Sequence, residues 1–93
     1  MATTKHTIAL SLSTYEVLVG NDLISLACAR QLKPVSKRDD MVRLSMVLAE
    51  LQELIGYVAA EANHARSIRQ SEAFNWICDE LESLESDIKW SMK

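Results

Sequence analysis

Between Lys5 and Leu12 the chain alternates. Ile8, Leu10 and Leu12 are apolar, while Thr7, Ala9 and Ser11 between them are small or polar. A period of two places the three aliphatics on one face of a strand, so residues 5–12 are predicted as a short strand or extended arm. From Ser13 the period changes. Ser13 and Glu16 have capping-box spacing, and a first helix is predicted over 13–33. It is liable to break at 20–22, where Gly20, Asn21 and Asp22 each weaken a helix interior. Its apolar residues, among them Val17, Leu18, Leu23 and Ile24, lie around most of the axis, as in a helix buried on several sides. Pro34 ends it.

Ser36 and Asp39 supply the next cap, and a long helix is predicted over 36–69. Leu44, Leu51, Val58 and Ala65 recur every seven residues, and Val47, Leu54 and Ile68 hold the position three further on. Leu48, Ile55 and Ala62 widen the stripe. The opposite side carries Val42, Met46, Ala49, Gly56 and Ala60, all apolar or small, so this helix calls for neighbours on two sides. A third helix is predicted over 71–91, where Phe74, Ile77, Leu81, Leu84 and Ile88 have the three-and-four spacing of a coiled-coil seam. The repeat of the second helix would instead fall on Arg69, Glu72 and Trp76. The chain is therefore expected to turn at 69–71, with Ser71 as a cap.

More than thirty helical residues from Ser36 would span roughly 50 Å, whereas a compact domain of this length has a radius of gyration of about 12 Å. The expected architecture is accordingly a single domain, mainly α. Its long amphipathic helices form an intertwined homodimer, and the N-terminal strand pairs with its copy across the two-fold axis. Leu44, Val47, Leu51, Leu54, Ile55, Val58 and Ala62 form the expected dimer interface.

Composition narrows the function classes. With 48% hydrophobic and 25% charged residues the chain is globular. No apolar run is long enough for a membrane span, and without a basic-then-apolar opening secretion is not expected. Cys28 and Cys78 stand fifty positions apart without a CxxC pair, so two buried thiols in the cytoplasm are expected. Net charge is −3 but uneven: residues 1–49 carry six cations against four acids, residues 50–93 four against nine.

The order strand, helix, short turn and a helix beginning VSKRDDMVRLSMVL (residues 35–48) resembles the ribbon-helix-helix DNA-binding fold. That resemblance implies a DNA-binding transcriptional regulator. Lys5, Thr7, Ala9 and Ser11 would face the DNA, and the amides near Ser36 and Lys37 would hold a phosphate.

Catalytic patterns are scarce. Two histidines and two glycines assemble no nucleophile-base set and no phosphate-cradling loop. Glu61 and His64 have ExxH metal-ligand spacing, but the helix offers no further inward carboxylate, and a structural pair is expected. No cofactor is expected. A small helical enzyme built on Arg43, Arg66 and Arg69 is the third reading. The last helix carries the more telling surface: Trp76, Ser83 and Trp90 recur every seven residues, away from the seam and among Glu72, Asp79, Glu80, Glu82, Glu85 and Asp87. Only Lys89 and Lys93 oppose these acids. Tryptophan is over-represented at binding hot spots. The leading expectation is a non-enzymatic regulator or inhibitor that binds a macromolecule, such as a nucleic-acid-binding protein, through Trp76, Glu80, Ser83, Asp87 and Trp90.

Overall fold

The computed structural model describes residues 4–91. Alternation at the start of the chain yields a strand, β1 (Lys5–Ser11), with Ile8 and Leu10 buried. The Ser11 side chain caps the helix that follows without a gap, α1 (Leu12–Gly20). Asn21 then breaks the helix where Gly20–Asp22 was expected to. Its side chain accepts from the Ile24 N–H and starts α2 (Asp22–Ala27).

The segment after Pro34 is where expectation and structure part. Residues 34–47 form a hairpin of β2 (Pro34–Arg38) and β3 (Met41–Val47), and β1 completes an antiparallel sheet in the order β1-β3-β2. Two local causes override the helix. Val42, Leu44 and Met46 alternate and are all fully buried, which only a strand achieves. Asp39 and Asp40 both adopt left-handed backbone, with φ of 52° and 61°. A two-residue loop positive at both positions matches the twist of a hairpin, and Asp tolerates that region better than most residues. The Asp40 carbonyl also accepts the Leu12 N–H at 2.8 Å, which fastens the turn to the β1–α1 junction. In β2 the register slips between Pro34 and Ser36, so Val35 is an extra residue bulging outward, 61% exposed.

The helix that remains is α3 (Leu48–His64), whose Glu50 carboxylate accepts the Val47 N–H at 3.0 Å. Leu51, Leu54, Val58 and Ala62 form its buried stripe. Ser67 caps α4 (Ile68–Ser91) by accepting the Gln70 N–H at 3.2 Å, and Ser71 instead donates back to the Ala62 carbonyl at 3.1 Å. The α3–α4 hairpin covers one face of the sheet, and Ile77, Leu81 and Ile88 close the core, with Phe74 and Leu84 against it.

The mainly α architecture of long intertwined helices is thus overturned in favour of an α+β fold in which the sheet is made within one chain. β1 pairs with β3, Lys5 opposite Val47 and Ser11 opposite Met41, rather than with its own copy. The length argument fails with the long helix: α3 has 17 residues, about 25 Å, inside a body of 39 × 26 × 21 Å. Of the seven residues expected at a dimer interface, Leu44, Leu51, Leu54, Val58 and Ala62 are buried by the chain itself. Ile55 packs half-buried against the same core, and Val47 sits half-buried at the end of β3. The ribbon-helix-helix arrangement falls too, because Ser36 and Lys37 lie in β2 and no helix begins there to hold a phosphate. Among the described residues no helix is long and apolar enough to cross a membrane.

Candidate functional site

The seam of α4 turns Ile77, Cys78, Leu81 and Ile88 inward. Trp76 precedes Ile77 by one residue, a step of about 100° around the helix, and therefore stands at the margin, 74% exposed. Beside it runs a groove between α4 and α1. Three adjoining cavities of about 420, 430 and 410 Å³ compose it, the first two sharing Val17 and the last two sharing Trp76. The middle one is largely apolar, with Val17, Ala73, Trp76 and Ile77 in its lining. One end is lined by Ser11, Asp79 and Glu80. The other is polar, with Asn21, Glu61, His64, Arg66 and Gln70.

One hydrogen bond spans the groove, and another ties its far end to α3. The Thr14 hydroxyl, itself buried, donates to Glu80 Oε2 at 3.1 Å and receives the Ser11 hydroxyl at 2.9 Å. At the far end Asn21 Nδ2 donates to Glu61 Oε2 at 3.2 Å. Both carboxylates are thereby tied to the frame. Glu80, expected as a partner-binding residue, acts first as a strut. Glu61 pairs with Asn21 rather than His64, and among the described residues no three His, Cys, Asp or Glu side chains gather as a metal would need.

Of the remaining partner-binding residues, Ser83, Asp87 and Trp90 are exposed on α4. Trp90, 71% exposed, lies about 21 Å along the helix from Trp76, so the stripe is two separated indoles and only Trp76 lines the groove. Glu85 is engaged by Lys89 at 3.5 Å; Lys93 lies outside the described residues. Ser13, Thr14, Arg69 and Glu72 complete the middle lining, of which Thr14 and Ala73 were not singled out from the sequence. A signal existed: Arg69, Glu72 and Trp76 share the phase noted for them, and it marks the groove side of α4.

The thiols are poor nucleophiles. Burial pushes the Cys78 thiol up to about 11, helped by the Glu82 carboxylate that its sulfur meets at 3.4 Å. Burial, with Glu53 nearby, also raises Cys28. A thiolate is the reactive form, and both sites suppress it. No protein-family profile, curated protein or solved structure matches this chain.

Proposed function

We propose that this protein is a non-enzymatic regulatory module that captures a basic, partly apolar segment of another protein in the α1–α4 groove. One observation carries the reading: a large indole stands three-quarters exposed over an apolar channel whose near end is acidic. An exposed tryptophan face attracts Lys and Arg, and Glu72 and Asp79 flank it with two exposed carboxylates. Apolar side chains of the same segment would cover Val17 and Ala73. Arg66 and Arg69 stand toward the other end and give the groove a direction, with the segment's cations on the Asp79 side. Segments of this kind are common on nucleic-acid-binding proteins, and masking one would make this protein an inhibitor of such a partner. The cytoplasm suits the proposal, since a reducing compartment keeps Cys28 and Cys78 as thiols.

Selection from a random displayed-peptide library tests it. Enriched sequences should combine Lys or Arg with apolar residues, and Trp76→Ala should weaken them at least tenfold with circular dichroism unchanged. Enrichment of acidic sequences, or equal binding by Trp76→Ala, would overturn it.

A further inference from the structure

The sheet buries Ile8, Leu10, Val42, Leu44 and Met46 on one face, and no residue of its other face is buried. Register defines that face rung by rung. Paired residues on antiparallel strands project to the same side. Ile8 with Leu44 and Leu10 with Val42 point into the core. The rungs between them point out: Lys5 with Val47, Thr7 with Ser45, Ala9 with Arg43 and Ser36, and Met41 with Arg38, while the Ser11 hydroxyl at the last rung turns to cap α1. The two-residue turn, which sets Arg38 opposite Met41, puts Ser36 and Arg38 on this outer face. It sends Lys37 to the other side, where its ammonium stands 5.4 Å from the Tyr15 ring centroid.

The outer face therefore carries Lys5, Arg43 and Arg38 and no carboxylate within the ladder; the nearest acids along the chain are Asp39 and Asp40 in the turn at one end and Glu50, held on the Val47 N–H, at the other. In a chain of net −3 this is a marked separation of charge. The cations fall on a diagonal, one per strand. Arg38 and Arg43 stand about 8 Å apart, and Arg43 and Lys5 about 14 Å, from strand spacing and rise. The hydroxyls of Thr7, Ser45 and Ser36 fill the steps between, and Ala9 leaves the centre low enough for close approach.

The geometry points to duplex DNA as the occupant of this face, held by its phosphates along the Lys5–Arg43–Arg38 diagonal. A polyanion complements the charge, and Ser and Thr hydroxyls are ordinary phosphate donors. Duplex is favoured over single strands because the face has no aromatic ring for unstacked bases to lie on, and sheets are known readers of duplex grooves. Three of the residues named from the ribbon-helix-helix resemblance on β1, Lys5, Thr7 and Ala9, share this surface, but by pairing within the chain and without a helix-borne phosphate clamp. The inference does not depend on the α1–α4 groove.

Fluorescence anisotropy with a labelled 20-base-pair duplex and the matching single strand tests it. Three phosphate contacts give a slope near −2.7 for log affinity against log salt. Arg43→Glu should reduce duplex affinity at least tenfold and Arg38→Glu comparably, with circular dichroism unchanged, while Trp76→Ala leaves it intact. Absence of duplex binding at low salt, tighter binding of the single strand, or indifference to Arg43→Glu, Arg38→Glu and Lys5→Glu in folded variants would each overturn the inference.

Discussion

The Thr14 hydroxyl and the Glu80 carboxylate meet at 3.1 Å, joining residues 66 positions apart across the mouth of the groove. The same hydroxyl receives Ser11, the cap of α1. One buried side chain thus sets both the start of a helix and the distance between the groove walls. Thr14→Val should cost about 1–2 kcal/mol, the usual toll of a lost buried hydrogen bond to a charged acceptor. In urea unfolding, a double-mutant cycle with Glu80→Gln should show coupling of about 0.5 kcal/mol or more. Additive losses would mean the bond does not hold the walls.

The hairpin turn makes a sharper stability statement. Asp39 and Asp40 both sit at positive φ, a conformation that costs an L-residue about 1–2 kcal/mol and glycine almost nothing. Asp40→Gly should raise the thermal midpoint by roughly the equivalent of 0.5–1 kcal/mol. Asp40→Val should lower it by more, since a β-branched residue tolerates that backbone poorly. If both changes are neutral, the turn is not held in this form.

The thiols give a pH dependence. Folded Cys78 keeps its proton to about 11, against an ordinary value of 9.0. Between those values the unfolded chain has released a proton that the folded chain retains, so raising the pH favours unfolding. Stability should be complete below about pH 9 and fall toward pH 11, with Cys28 acting in the same direction. Cys78→Ser should flatten the fall in denaturant midpoint with pH. A thiol reagent should label both cysteines promptly in denaturant and slowly without it.

Because α3 buries its stripe against elements of its own chain, folding is predicted to proceed without a second copy. Thermal midpoints should be the same at micromolar and hundred-micromolar protein, and Leu51→Ala should cost about 2–5 kcal/mol without altering sedimentation. A midpoint that climbs with concentration would reinstate association as a condition of folding.

The parts of this fold written in local chemistry were readable before the structure. Alternation at Ile8 and Leu10, the break at Asn21 and the seam from Phe74 to Ile88 each reflect a single element answering to its own periodicity. The hairpin was misread because two periods coincide. Leu44 and Val47 stand seven positions before Leu51 and Leu54, so a strand running directly into a helix imitates one continuous heptad pattern. The better clue was Val42, Leu44 and Met46 after two aspartates, a turn and an alternating run that lack the usual Asn-Gly or Asp-Gly signature. The exposure of Trp76 was legible from its place off the seam. The groove beside it was not, since Thr14 and Val17 belong to a helix whose position depends on the sheet.

The central claim is that Trp76 meets a partner's basic segment. Trp90→Phe leaves Trp76 as the single tryptophan of the chain, and its emission then reports on the groove alone. Free protein should be readily quenched by acrylamide. A saturating basic peptide from the library selection should shield the indole several-fold and shift its emission. If the peptide binds and the quenching constant of Trp76 stays unchanged, the segment sits elsewhere and the groove is not the docking site.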